Sequence, residues 1–354
     1  MRILILGGTG FIGKPLCHNL AIQGHELCVL SRGQKPVDLP PGARHITADR
    51  ADLVENSDGN NNSGSETISE IDDFGPETVI DIYALTAQDD LPALEFFSRR
   101  TARYVMVSSC DVYRVMGRLL GVEPGPVITG FQSETGPLRE KLYPYREIMD
   151  HDGGGNYDKI PLEKACLEDF DFEGTVLRLP MIYGPGDRQH RFRDMVKHMA
   201  DERPAILFPD FYANWISTYG YIDNVAAVIA MAATHEAAGG EIFNVADVNT
   251  LTQKGWAEAI AASMNWHGEI VSAPLADLPE NRAALAAGGN FNQMLQIDAS
   301  KIVEKLGFQA PVDFKTAVHR MVAYEREHLG ESATDDCDYA ADDRFLAENM
   351  DNIS

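Results

Sequence analysis

The run Gly7-Gly8-Thr9-Gly10-Phe11-Ile12-Gly13 is the first stretch whose residue types and spacing point to chemistry. Its glycines fit G-x-x-G-x-x-G counted from Gly7 and G-x-G-x-x-G counted from Gly8. That spacing allows a tight turn, lets backbone come close to a pyrophosphate, and aims a helix N-terminus at the anion. Downstream, Ser31-Arg32-Gly33 stands where an acidic residue would accept the adenosine ribose hydroxyls of NAD. Arg32 offers a guanidinium instead, which suits a 2′-phosphate and favours NADP(H), with NAD(H) as the alternative. Asp49 is expected at the carboxyl edge of the sheet, beside the adenine.

These groups need a particular scaffold. Arg2 to Leu6 is an almost continuously apolar run, as a strand buried on both faces of a parallel sheet requires. Ile12, Leu16 and Leu20 mark one face of a helix beginning near Phe11, Gly24 closes it, and Glu26 to Leu30 reads as the next strand. Further strands are expected at Arg44 to Ala48, Thr78 to Ala84 and Arg103 to Ser109, with a helix through Leu91, Leu94 and Phe97. Strands alternating with helices predict an α/β Rossmann-type doubly wound parallel sheet with a smaller C-terminal substrate lobe. Residues 1–180 are expected to be mainly the dinucleotide-binding domain. Within it, 56–70 is polar and rich in Asn, Ser and Gly, and is expected to be a flexible insertion. Residues 181–330 are expected to be mainly the substrate lobe, interleaved with returning strands of the first domain, and 331–354 an acidic tail with at most a short helix at 344–350.

Composition narrows the class. A hydrophobic content of 44% can fill a core, and no apolar run is long enough to span a membrane. Without a signal-peptide pattern at Met1, the expected compartment is the cytoplasm. Five cysteines are scattered without C-x-x-C spacing, so they are read as reduced thiols. The histidines lack metal-ligand spacing, and no metal is expected. A formal net charge of -24 argues against sequence-independent nucleic-acid binding, which draws its affinity from Lys and Arg. The expected partner is a small-molecule substrate, with a homodimer as the assembly.

After the fifth strand the chain reads Ser108-Ser109-Cys110-Asp111-Val112-Tyr113, and with the glycine loop it resembles the extended short-chain dehydrogenase/reductases, the NAD-dependent epimerase/dehydratase family. Further similarities are Val176-Leu177-Arg178-Leu179-Pro180 leading to Tyr183-Gly184-Pro185-Gly186-Asp187, then Gly220-Tyr221-Ile222-Asp223-Asn224-Val225-Ala226 and Phe243-Asn244-Val245. The resemblance covers roughly residues 1–330. It implies hydride transfer to or from a nicotinamide, with a serine or threonine, a tyrosine and a lysine managing the proton. It places Ser109 as the hydroxyl. The tyrosine departs from the family pattern: with Tyr157 in the Y-x-x-x-K tyrosine position, Pro161 falls where lysine belongs, whereas the register that keeps Lys159 and Glu163 puts Gly155 at the tyrosine position. The second register is the better one, and a distorted helix start would let Tyr157 reach in. Asp111, where dehydratase-like members carry an acid, is the alternative proton carrier.

The resulting expectation for catalysis is Ser109, Lys159, Tyr157 and Asp111. For the cofactor it is Gly7, Gly10, Phe11, Ile12, Gly13, Arg32, Asp49, Ala84 and Lys159. Arg188, Arg191, Trp215 and Tyr219 are expected on the substrate side, the arginines for bidentate recognition of an anion and the aromatics as pocket wall. The long connection 115–151, with Tyr143 and Tyr145, is expected to be a lid or a partner surface. The reading is an NAD(P)-dependent epimerase/dehydratase or reductase acting on a hydroxyl or keto group of a small polar substrate, a sugar nucleotide being the first guess. Its rival is a non-catalytic NAD(P)-binding regulatory or RNA-associated module.

Overall fold

The computed structural model describes residues 1–34, 37–53, 62–147, 155–331 and 338–353. The apolar runs form strands β1 (Arg2–Leu6), β2 (Glu26–Ser31), β3 (Arg44–Thr47), β4 (Thr78–Asp81), β5 (Arg103–Ser109) and β6 (Glu173–Leu179). Short strands follow: β7 (Met181–Tyr183), β8 (Ala205–Pro209), β9 (Ile216–Ser217), β10 (Tyr219–Tyr221), β11 (Ile242–Asn244), β12 (Leu251–Thr252) and β13 (Glu269–Ala273). Seven of them build one parallel sheet in the order β11-β6-β5-β4-β1-β2-β3. The order reverses between β1 and β4, and ligands of open α/β sheets bind outside the carboxyl ends of strands at such a reversal.

The helices are α1 (Gly13–Ile22), α2 (Asn62–Phe74), α3 (Ala87–Phe97), α4 (Arg114–Leu119), α5 (Ile160–Glu168), α6 (Arg193–Ala200), α7 (Asp210–Ala213), α8 (Ile222–Thr234), α9 (Gln253–Met264), α10 (Ser300–Leu306), α11 (Phe314–Glu327) and α12 (Ala340–Ile353). Alternation along β1 shows how they cover the sheet. Ile3 and Ile5 join α1 and α8 in one core, which continues into Trp256, Val318 and Met321 of the C-terminal part. Leu4 and Leu6 face Ile71 of α2, Leu94 of α3 and Leu162 of α5.

Two expectations about flexible segments are corrected. Of the insertion at 56–70, residues 56–61 lie outside the described residues, but Asn62 onward is helix α2. It folds because Thr67, Ile71 and Phe74 recur at helical spacing and are all buried, despite the polar residues between them. The acidic tail likewise contains α12. Leu346 is buried against Leu207 and Val271, Asp342 pairs with Arg282 and Asp343 with Arg203, while the Tyr339 hydroxyl donates to Asp201 at 2.6 Å. Arginine partners thus hold acids that composition alone assigned to solvent.

The glycine loop is pinned by packing. A Cβ on Gly13 would lie 2.4 Å from the backbone carbonyl of Gly8, and one on Gly8 would lie 2.8 Å from Val29. Gly13→Ala should therefore cost about 1–3 kcal/mol of stability through forced backbone movement. Denaturant unfolding measures this, and an unchanged midpoint would contradict the packing role.

Candidate active site

A cavity of ≈ 410 Å³ opens at the carboxyl ends of β1, β2 and β4, lined among others by Gly7, Gly10, Arg32, Asp49, Tyr83 and Asp90. Gly7 turns the chain at φ +88, and its N–H donates to Leu30 O at 3.1 Å. Gly10 differs from Gly8 and Gly13: a Cβ there would meet only Gly7 O, at 3.6 Å, so its open side faces space the protein leaves empty. Phe11 and Ile12 form the turn into α1, whose first N–H groups have no intrahelical acceptor. Neither they nor Gly13 line the cavity; Phe11 and Ile12 pack on the core. Ala84 is fully buried and also lies outside the lining.

The cations of this cleft are unlike one another. Arg32 is exposed and has no hydrogen bond or ion pair among the described residues. Arg50 is committed: it pairs with Asp81 at 2.6 Å and with Asp90, while Tyr104 donates its hydroxyl to Asp81 at 2.7 Å. Burial opposes the Asp81 charge, but Arg50 beside it holds the carboxyl below its usual range. Asp90, which also accepts the N–H groups of Leu85 and Thr86, is pushed up to about 6 by burial. Asp49 accepts the Ala51 N–H at 3.0 Å and caps the turn Arg50–Leu53.

At the end of β5 the catalytic expectations converge. Ser109 Oγ accepts the Asp111 N–H at 3.1 Å, and the Tyr157 phenol lies close enough to the Ser109 side chain for that hydroxyl to temper the rise that burial causes. Lys159 is 4% exposed, donates from Nζ to Val107 O at 3.0 Å, and places Nζ 5.8 Å from the Tyr157 ring centroid. The helix start accounts for this approach. Lys159 caps α5, with Pro161 in its first turn, so Tyr157 lies before the helix and escapes the angular spacing that would turn it away. Glu163, one turn on, binds Arg178 at 2.7 Å and accepts from Ser108 Oγ at 2.5 Å, tying α5 to β5 and β6.

Burial sets the electrostatics. It pushes Lys159 down to about 8, and it pushes the Tyr157 phenol up, with Asp111 adding to the rise. Asp111 is also raised by burial, against the pull of Arg139. Tyr145 donates to Asp111 Oδ1 at 2.9 Å and meets the Tyr157 ring edge-on, with centroids 5.5 Å apart.

Three of the substrate-side expectations are corrected. Arg191 donates to Asp187 at 2.8 Å and to Ile182 O at 2.7 Å, so its guanidinium is used internally. Trp215 is buried against Phe291 and donates from Nε1 to Gln293 O at 2.9 Å. Tyr219 sits in the aromatic core with Phe192 and Trp256 and accepts from Gln253 at 3.2 Å. Arg188 alone is exposed. The connection expected to be a lid is, in its described part, anchored: Leu138 bridges Tyr113, Gln132 bridges Ile297, and the Gln132 N–H donates to Gln296 O at 2.8 Å. Among the described residues no group of three or more His, Cys, Asp or Glu could hold a metal, and no helix is long and apolar enough to cross a membrane.

Comparison with known proteins follows the same lines. The sequence model described as the NAD dependent epimerase/dehydratase family matches residues 3–145 and 156–246. One relative is the chloroplast stem-loop binding protein of 41 kDa b of Arabidopsis thaliana, 25% identical over 262 residues, 73% of this chain and 62% of that protein. This chain thus spans less than two thirds of that relative's length. Another is the 2′-dehydrokanamycin reductase of Streptomyces kanamyceticus, 23% identical over 84% of this chain and 77% of the relative. Among solved structures, the UDP-glucose 4-epimerase of Thermotoga maritima with UDP-glucose has a TM-score of 0.65 at 20% identity, covering 93% of this chain and all of the epimerase. The UDP-glucuronic acid 4-epimerase of Bacillus cereus, in complex with UDP-glucuronic acid and NAD, has a TM-score of 0.64 at 16% identity, covering 92% and 99%.

Proposed function

Since the chain belongs to the NAD dependent epimerase/dehydratase family, we propose that it reduces the carbonyl of a small polar substrate, with Tyr157 giving the proton, Ser109 orienting the substrate oxygen and Lys159 holding the cofactor ribose. An NAD-dependent enzyme of the epimerase and reductase type is the general statement that membership supports. The loop fits such a cofactor, because Gly10 leaves open the space a side chain would fill, while Gly8 and Gly13 keep the turn tight. Gly7, Thr9 and Gly10 would lie against the pyrophosphate, and Arg32 and Asp49 would take the adenosine end. When bound, the nicotinamide supplies the hydride.

The observation that carries the reading is that Lys159 Nζ lies 5.8 Å from the Tyr157 ring centroid, with Ser109 close by, although tyrosine and lysine stand only two residues apart. Burial keeps the Tyr157 phenol protonated at neutral pH, so it meets a carbonyl as a donor. A substrate oxygen that gains negative charge takes that proton, and Ser109 hydrogen-bonds the same oxygen. The relative named 2′-dehydrokanamycin reductase favours this direction. The rival, an RNA-associated module, draws support from the name of the Arabidopsis relative, and the net charge of -24 opposes it. A screen of ketones, aldehydes and keto sugar nucleotides for consumption of NAD(P)H tests the proposal; binding without consumption would favour the rival.

Two expected results follow from the charges. With Arg32 uncommitted and Arg50 neutralised, NADPH should bind more tightly than NADH, and Arg32→Ala should remove most of the preference, at about 1.5–3 kcal/mol. Calorimetry decides this, and equal affinities in the unmodified protein would refute it. Activity should also fall as pH rises through about 8, where Lys159 loses its charge. Stability should respond oppositely. The folded pKa lies below the unfolded one, so between about 8 and 10.5 the unfolded chain binds the extra proton, and the Lys159 contribution to stability rises with pH. A rate loss accompanied by unfolding over that range would contradict the assignment.

A further inference from the structure

We infer that Arg139 is the positioning residue of the active site, setting Tyr157 against Ser109 where the usual helical spacing of tyrosine and lysine is missing; this rests on the catalytic roles proposed above. Arg139 lies far from either residue in sequence, but its side chain is wholly buried between them. Nε donates to the Asp111 carbonyl at 2.6 Å and Nη1 to the Lys141 carbonyl at 2.6 Å. Nη2 donates to the Asp111 carboxylate at 3.2 Å and to the Asp158 carboxylate at 3.3 Å. Asp111 follows Ser109 by two residues and receives Tyr145, which packs on the Tyr157 ring. Asp158 stands between Tyr157 and Lys159. One planar guanidinium therefore fixes the turn that carries the hydroxyl and the stretch that carries the tyrosine and the lysine.

The surroundings of Asp158 extend the clamp. Its carboxylate also accepts the N–H of Ile160 at 3.0 Å, at the start of α5, and that of Tyr143 at 2.7 Å. Tyr143 takes a left-handed backbone at φ +53, a conformation costly for a residue with a Cβ and held here by that bond. The Asp158 N–H donates to Leu85 O at 3.2 Å, beside the cofactor cleft. Buried ion clusters add little net stability over apolar packing of the same volume, because desolvating the charges offsets their attraction. Geometry is what this cluster provides. In a family arrangement with tyrosine and lysine one turn apart, the helix sets their distance; here the helix begins at Ile160, and Arg139 supplies the constraint instead.

The test uses the full chain with Arg139→Ala, labelled with ¹³C at the tyrosine ring, the Tyr157 signal being the one absent from Tyr157→Phe. In Arg139→Ala turnover should fall by about 10²-fold, the affinity for NADPH should fall by less than in Lys159→Ala, and the Tyr157 signal should move. Guanidinium chloride at low millimolar concentration should restore the signal and at least about tenfold of the rate, whereas methylammonium should not. Turnover unchanged, or a Tyr157 signal that stays in place, overturns the inference. Where Arg139→Ala does not fold, Arg139→Lys keeps the charge but has one nitrogen to span two carboxylates, and the same loss and the same signal shift are expected. If the unmodified protein turns over none of the substrates, the proposed reduction fails by itself, and the Tyr157 signal with its guanidinium rescue still decides the clamp.

Discussion

Tyr157→Phe should lower turnover by roughly 10²–10⁴-fold while leaving NADPH affinity and thermal stability nearly unchanged. The substitution removes one hydroxyl. The ring that packs on Tyr145 at 5.5 Å and lies over Lys159 stays in place, so a loss of rate reports the proton and not the packing. Companion variants separate the neighbouring groups. Tyr145→Phe removes a bond to Asp111 but no proton bound for the substrate, and should cost about tenfold or less. Lys159→Ala should lower the rate and weaken cofactor binding together. If Asp111→Asn instead gives the large loss and Tyr157→Phe keeps full rate, the carboxyl is the proton carrier and the tyrosine assignment fails.

Gly10→Val carries the second large effect: cofactor affinity should fall by at least about 10²-fold in a protein that still folds. The contrast within the loop explains why. At Gly13 an added Cβ would meet backbone at 2.4 Å, so the fold itself would resist, whereas at Gly10 the nearest atom is 3.6 Å away. The space beside Gly10 is open, and a branched side chain would fill it where the proposed pyrophosphate would lie. Calorimetry with NADPH and a thermal melt, run on the same preparation, give the answer. Unchanged affinity would remove the loop from the binding site, and an unfolded variant would show that the loop glycine serves packing instead.

What could be read in the sequence was local. The parallel strands, the glycine turn and the closing Gly24 are each specified by residues a few positions apart, and β1, α1 and β2 stand where the pattern puts them, with α1 starting at Gly13 and not near Phe11. Lys159 was legible through its one-turn spacing to Glu163. The clamp was not legible, because Arg139 meets Asp111 across 28 residues and Asp158 across 19, separations at which charge patterning carries no information. The same holds for Arg50 and Asp90, 40 residues apart. Trp215 and Tyr219 illustrate a different failure: an aromatic cluster reads alike whether it lines a pocket or fills a core, and only the bonds from Gln253 and to Gln293 distinguish the two. Helix α2 was hidden by its polar face, since Thr67, Ile71 and Phe74 are few among Asn, Ser and Glu.

Proton donation by Tyr157 is tested most directly by following nicotinamide absorbance after NADPH-loaded protein is mixed with the carbonyl panel, in the unmodified chain and in Tyr157→Phe. At least one substrate should be consumed by the unmodified protein, and Tyr157→Phe, binding NADPH equally well, should consume it at least about 10²-fold more slowly. Equal rates in the two proteins, or tight NADPH binding with no consumption by the unmodified chain, would contradict it.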